Sequence, residues 1–332
     1  MSLVKIIKKV MNKTLPAYRV SLRAEEKTVQ LNHKIEMLFW YGINRDGETL
    51  TETKQRFFSS IPLADGNLRK AQLVVLDILR EFDKVCKEND ILYWVMGGSL
   101  VGAIRHKGFI PWDDDVDVGM TRKDLQKFKE KSMANNKIKL INYYNFNGKY
   151  RIPKVVLKDT ETDFCIDVVV FDEVEISDGS NKSKIWTRNR KLRKKVINKL
   201  RVIRRIWFRD FTHTQTLEND LGRKEKLDSF FDRAVKKCNY DTSGNTLIWG
   251  IDNFDSKAKR KMRIFNKDDI FPCNILQFEN LDVPVPKQYR RFSMEEVGDC
   301  YAIPLDIGYC NHFSEKKMER QLKKIEELYG RR

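Results

Sequence analysis

The sequence predicts an α/β or α+β core, with helices packed on a mixed β-sheet. Three observations lead there. An amphipathic pattern from about Leu68 to Asn89, with Leu68, Val75, Leu79, Phe82 and Cys86 three, four and seven apart, runs straight into the apolar stretch Ile91 to Met96. The turn Gly97-Gly98-Ser99 then leads through a short helical pattern to a second strand, Val116 to Met120. Finally, CIDVVVF, Cys165 to Phe171, is a run of β-branched residues between polar flanks, as a buried strand requires.

Each element has its own reason. The N-terminus, MSLVKIIKKVMNK, read as a helix gathers Leu3, Ile6, Ile7, Val10 and Met11 on one face, with Lys5, Lys8, Lys9 and Lys13 mostly off it. That pattern suits a helix lying on an anionic membrane, and equally one docked on the body of the protein. Pro16 ends it, a polar helix-prone stretch runs from Ser21 to Tyr41, and the turn-rich segment Gly42 to Gly66 reads as loop. After the first strand, Ser99 is placed to cap a helix from Leu100 to His106, which Gly108 ends. Thr121 caps the next helix, Lys123 to Met133; a strand is expected at Lys154 to Leu157, and helices at Lys224 to Lys237 and Ser314 to Tyr329. The proline-rich stretch Ile270 to Pro304 reads as irregular.

With 332 residues, 64 basic against 47 acidic, the chain carries a net +17, which points to an anionic partner: nucleic acid, a membrane surface or an acidic polymer. Much of the excess is local. Between Asn181 and Asp210 there are thirteen Lys or Arg and one acid, with Ile185, Leu192, Val196, Leu200, Ile203 and Trp207 at helical spacing. A solvated basic face over a core-facing stripe explains this; the charge density favours a face turned to a membrane or polyanion. The six cysteines are scattered without metal-ligand spacing, so reduced buried thiols in a cytosolic protein are expected rather than a zinc site. No run of eighteen apolar residues exists, so no transmembrane helix is expected.

The chemistry concentrates in GGSLVGAIRHKGFIPWDDDVDVGM, Gly97 to Met120. Asp115 and Asp117 flank Val116, and on a strand residues two apart share a face. Two adjacent carboxylates repel unless a cation lies between them, and Mg²⁺ takes such oxygen ligands together with substrate phosphates. The Gly-Gly-Ser turn at a helix start exposes backbone N–H groups as a cradle for a phosphate. A third acid, Asp167, sits inside CIDVVVF, where an unpaired buried carboxylate is costly; Asp172 at the strand's end is the weaker candidate. Asp113 and Asp114 are left unassigned among supporting groups, solvent-facing residues and further ligands.

Gly98-Ser99, Asp115-x-Asp117 and a separate Asp167 on a later strand resemble the DNA-polymerase-beta-type nucleotidyltransferase pattern. The longer run RHKGFIPWDDDVD, Arg105 to Asp117, resembles the signature of the LicD family, which includes the fukutin-type proteins. RIPKVVLKDT (Arg151 to Thr160), FENLDVPVPKQY (Phe278 to Tyr289), EEVGDCYAIP (Glu295 to Pro304) and His312 resemble further blocks of that family. Val297 departs from it, where an aromatic is more typical, and the zinc-binding insertion of some animal members has no cysteine counterpart.

The resemblance implies an α+β nucleotidyltransferase-type core, a mixed sheet flanked by helices with basic helical segments added. The expected division is an N-terminal basic segment 1–66, a catalytic core 67–180, a basic insertion 181–240 and the C-terminal part of the domain, 241–332. It implies a transferase that moves a phosphorylated alcohol, phosphocholine first, from a CDP-linked donor such as CDP-choline to a sugar hydroxyl. The acceptor would be a lipid-linked or polymeric glycan, as in teichoic acid, lipopolysaccharide or capsule. Mg²⁺ or Mn²⁺ would be held by Asp115, Asp117 and Asp167, with Asp167 also orienting or deprotonating the acceptor hydroxyl. Gly98 and Ser99 would hold a donor phosphate, Arg105 and Lys107 the leaving CMP, and Lys154 a further phosphate; His106 reads as a helix-end or packing residue. The location expected is cytoplasmic, peripheral at the inner face of the membrane. The competing readings are a nucleotidyltransferase acting on RNA, although no RNA-binding motif accompanies the core, and a membrane-associated scaffold without activity.

Overall fold

A computed structural model describes residues 16–145, 150–160, 162–175, isolated positions from 184 to 198, and 221–237, 244–252, 263–304 and 313–330. The amphipathic face of residues 3–13, nearly all of the basic stretch 182–209, and His312 lie outside the described residues. The chain divides into two compact units, 1–61 and 62–332.

In the first unit, α1 (Pro16–Ile43) and α2 (Leu50–Ser60) meet through a cluster of edge-to-face rings in which Trp40 lies 5.4 Å from Phe57. Helix α2 corrects the loop expected at 42–66. Its signal was present: Thr49 and Glu52 form a reciprocal capping box, satisfying backbone N–H groups at the helix start. Glu48 and Arg56 add an ion pair at 2.7 Å.

The second unit is built on a mixed sheet. Helix α3 (Gly66–Glu88) leads into β1 (Trp94–Val95), then α4 (Gly97–His106), β2 (Val116–Thr121), α5 (Arg122–Ser132), β3 (Ile138–Asn145), β4 (Tyr150–Leu157) and β5 (Cys165–Val174). The strand order is β1-β2-β5-β4-β3, with β6 (Thr246–Trp249) added to the far end of β5 and β7 (Ile264–Asn266) to β6. Strands β2 and β5 are parallel, while β1 with β2 and β4 with β5 are antiparallel, so the architecture is α+β. Between β5 and β6 comes α6 (Leu221–Lys236), and after β7 the short α7 (Lys267–Ile270), the hairpin β8 (Asn274–Phe278) with β9 (Leu281–Val285), α8 (Tyr289–Glu296) and α9 (Glu315–Tyr329). The hairpin and α8 correct the irregular reading of 270–304: Pro284 stands in a two-stranded ribbon and Pro272 and Pro286 at its flanks, where a missing N–H is tolerated.

Strand alternation gives the central sheet two different faces. Val116, Val118 and Met120 of β2 stand beside Ile166, Val168 and Val170 of β5, all buried. The buried stripe of α3, including Ala71, Val75, Ile78, Leu79 and Phe82, supplies a matching apolar surface, and Phe82 meets Phe128 of α5 at 4.9 Å. The other face carries Asp117 and Asp167. It closes at one end with Trp94, whose ring lies 5.0 Å from Phe171 and packs so tightly on Gly119 that a side chain there would collide with the indole.

Away from this row, a buried ion network ties several elements together. Arg122, first in α5, pairs with Asp172 of β5 and lies 2.6 Å from Asp252, which also accepts from Arg151 of β4 at 2.6 Å. Asp172 is therefore the partner of an arginine in the fold's interior, which accounts for it without a metal.

Candidate active site

Helix α4 begins three residues earlier than its sequence pattern suggests. Met96 is the N-cap, and Gly97 and Gly98 form the first turn. Gly97 has φ +58, a left-handed conformation that glycine adopts without strain, and a Cβ there would run into the Asp117 carboxylate. Ser99 is thus inside the helix rather than its cap. It is buried, and its Oγ accepts the backbone N–H of Asp117 at 2.9 Å, which pins the start of β2 to the start of α4. Met96 N–H donates to Asp117 O at 3.1 Å from the other side.

The carboxylates crowd against this helix start. Asp113 Oδ2 lies 2.9 Å from where a Cβ on Gly98 would sit, so both glycines are needed for the close approach. Asp113 and Asp114 are buried, Asp115 is half-buried, and one oxygen from each lies within 4.8 Å of the others. Asp117 stands in register with Asp167 across the parallel pair β2–β5, and Asp167 with Lys154 across β4–β5. Directly paired residues share a face, so Asp117, Asp167 and Lys154 form a row across three strands.

Lys154 Nζ lies 2.7 Å from Asp167 Oδ1 and 3.4 Å from Cys165 Sγ. Burial opposes its charge, but Cys165 and Asp167 outweigh that and hold the lysine above its ordinary range. Burial, then the charge of Asp167, pushes the Cys165 thiol far up, so it stays protonated and donates to Asp167 Oδ1 at 3.2 Å.

Electrostatics mark the centre of the cluster. Burial, followed by the charges of Asp115, Asp167, Glu296 and Asp113, drives the Asp117 carboxyl well above its ordinary value. Glu296, the last residue of α8, accepts the Gly97 N–H at 3.1 Å on Oε2, and its Oε1 is 3.7 Å from Arg263. Burial lifts Glu296 to about 7, against the pull of the Gly97 N–H and Arg263.

The remaining candidates are dispersed. Arg105 is buried and donates to the Cys300 carbonyl at 3.1 Å, tying α4 to the segment after α8. Lys107 is exposed, with φ 55, and forms the C-cap of α4 where the sequence suggested Gly108; its carbonyl accepts the Glu279 N–H at 2.7 Å. His106 packs edge-on against Trp112 with ring centres 6.4 Å apart, a packing role as expected.

Sequence reasoning assigned nothing to Glu296, Arg263 or Glu279. Glu279 pairs with Arg69 of α3 at 2.7 Å and accepts the Phe109 N–H at 3.3 Å, so it anchors the hairpin turn beneath the end of α4. A signal existed: Glu279 and Glu296 fall in FENLDVPVPKQY and EEVGDCYAIP, matched above as blocks without roles.

A cluster of buried and half-buried carboxylates is chemistry that suits a hard divalent ion. The repulsion focused on Asp117 is what such an ion would relieve. The residues present therefore fit Mg²⁺ or Mn²⁺.

Part of the chain is similar to known proteins. A family model described as LicD/FKTN/FKRP, nucleotidyltransferase domain, matches residues 90–214. The lipopolysaccharide cholinephosphotransferase LicD of Haemophilus influenzae is 57% identical over 61 residues, covering 18% of this chain and 23% of that protein. Human ribitol 5-phosphate transferase FKRP is 31% identical over 96 residues, 26% of this chain and 18% of its own length. Yeast mannosyltransferase regulator 4 is 24% identical over 131 residues, 39% of this chain and 11% of its own length. The matched segments span less than a quarter of each relative.

Proposed function

The chain belongs to the LicD family, and on that footing we propose that it is a metal-dependent transferase acting on a glycan. It would move a phosphorylated alcohol, phosphocholine first, from a CDP-linked donor to a sugar hydroxyl of a surface-glycan precursor. The observation that carries this is that Asp117, in register with Asp167, and Asp113 both lie against the glycines that start α4, where Glu296 accepts the Gly97 N–H. The two relatives named for transfer of a phosphate-linked alcohol support the class of group moved.

Asp115, Asp117 and Asp167 would hold Mg²⁺ or Mn²⁺, with Asp113 a further carboxylate beside the helix start. A bound divalent ion supplies Lewis-acid neutralisation of charge on the transferring phosphoryl group and its leaving oxygen. The chain's own residues do the positioning. Ser99 fixes the Asp117 backbone, Gly97 and Gly98 allow the carboxylates to approach the helix start, and Lys154 fixes Asp167. Asp167, in register with Asp117, would accept the proton of the incoming hydroxyl or orient it. The first N–H of α4 is taken by Glu296, so a donor phosphate would use later groups of that turn, with Gly98 and Ser99 the candidates. Arg105, which also holds the segment after α8 through the Cys300 carbonyl, and the exposed Lys107 would steady the leaving CMP.

Among the described residues no helix is long and apolar enough to cross a membrane. Attachment at the inner membrane face through basic segments is part of the proposal and follows from the +17 charge.

The test is CMP release from a panel of CDP-linked alcohols, including CDP-choline and CDP-ribitol, with Mn²⁺ or Mg²⁺ and a lipid-linked glycan acceptor. Metal-dependent release with at least one donor is expected. No release across the panel from a folded protein that binds the acceptor overturns the reading.

A further inference from the structure

Lys154 is held more firmly than a surface lysine on a strand has reason to be. Its ammonium is 2.7 Å from Asp167 Oδ1, 3.4 Å from Cys165 Sγ and 4.9 Å from the centre of the Tyr143 ring. Fixing a lysine costs rotamer entropy, and an exposed ion pair returns little. Here the two side chains are only 19% and 18% exposed, so the pair is less screened than a surface one.

The contacts fall unevenly on Asp167. Lys154 and the Cys165 thiol both address Oδ1. An ammonium and a thiol on one oxygen fix the rotation of the carboxyl group. They also place a permanent positive charge two strands away from Asp117, in the same row. A divalent ion on Asp117 and Asp167 then meets two opposite effects: an oriented ligand and a nearby cation that repels it.

Resting on the metal-dependent reading above, we propose that Lys154 is a built-in counter-cation that shares Asp167 with the divalent ion. It retains Oδ1, leaves Oδ2 to the ion, and weakens ion binding by direct repulsion. Without an ion, it compensates part of the carboxylate charge crowded on this face, so the cluster can fold before any ion arrives. With an ion, it limits affinity, and its charge stands beside the position where an anionic diphosphate would approach. Lys154 is thus a positioning residue that acts through Asp167.

The experiment is calorimetric titration of the full chain with MnCl₂, alongside melting in EDTA and in Mn²⁺. Lys154→Gln removes the charge at similar length, Lys154→Met serves should that variant not fold, and Lys154→Arg keeps the charge. The neutral variant is expected to bind Mn²⁺ about 3- to 10-fold tighter than the native chain, and Lys154→Arg within about 2-fold of it, as a single nearby charge in a partly screened site dictates. Mn²⁺ should also raise the melting temperature of the neutral variant by more than it raises that of the native chain. Unchanged or weaker Mn²⁺ binding by the neutral variant, or equal tightening by Lys154→Arg, overturns this proposal and leaves the metal reading intact. A native chain that binds no Mn²⁺ removes the metal reading itself.

Discussion

Asp117 and Asp167 stand directly opposite one another on the parallel strands β2 and β5, although fifty residues separate them in the chain. Their pairing turns two separate acids into neighbours on one face. Burial and like charge then force the Asp117 carboxyl to resist ionisation. The functional predictions follow from this relationship.

Asp117→Asn should abolish Mn²⁺-dependent CMP release, by at least about 100-fold, since groups that only support a metal ligand are already worth about 10- to 100-fold. The variant should fold. A carboxyl whose folded pKa lies above its unfolded value costs stability once it ionises, so neutral pH is where Asn gains most. Melting in EDTA at pH 8 should show the variant at least as stable as the native chain; a large loss of stability would remove Asp117 from the role of a strained ligand.

Gly97→Ala tests the close approach at the helix start. The left-handed φ of +58 and the Asp117 carboxylate behind it leave no room for a methyl group. The expected cost is about 1 to 3 kcal/mol in urea unfolding. Mn²⁺ binding should weaken as Asp117 is pushed aside; native affinity would mean the contact is dispensable.

Glu296→Gln separates charge from hydrogen bonding. The amide oxygen can still accept the Gly97 N–H. With its folded value raised to about 7 from 4.5, Glu296 binds its proton more tightly in the folded state. Between those two values stability therefore falls as pH rises, by up to about 3 kcal/mol in total. Unfolding curves in EDTA from pH 4.5 to 8 should show a shallower decline for the variant than for the native chain. Identical slopes would place the titration elsewhere.

Arg122→Ala leaves Asp172 and Asp252 buried without their shared guanidinium. Breaking a buried ion pair from one side costs about 3 to 5 kcal/mol. Denaturation should show that loss. At temperatures where the variant remains folded, Mn²⁺ affinity should be unchanged, because the network stands apart from the Asp117 row; a specific loss of metal binding would link the two.

The candidate acids were legible where local pattern and chemistry coincide. Asp115-x-Asp117 on a strand after a glycine turn, and Asp167 inside an apolar run, could be read because strand alternation dictates the shared face and an acid in such a run demands a partner. Helix α2 was missed although Thr49 and Glu52 spell a capping box, because the glycines around it read more strongly as loop. The hairpin β8–β9 was missed because its prolines argue against strand unless the strand belongs to a small ribbon. That Arg105 also donates to the Cys300 carbonyl, 195 residues away in sequence, could not be read from local pattern.

By itself the sequence determined the α+β alternation and marked Asp115, Asp117 and Asp167 as the acids to examine, since these depend on periodicity and residue type over short spans. Only the tertiary structure decided that Lys154 partners Asp167, that Glu296 takes the first N–H of α4, and that Asp172 belongs to Arg122. Those pairings join residues from roughly a dozen to two hundred positions apart. Strand register and helix packing bring them together, and no local pattern encodes the register between strands that are distant in the chain.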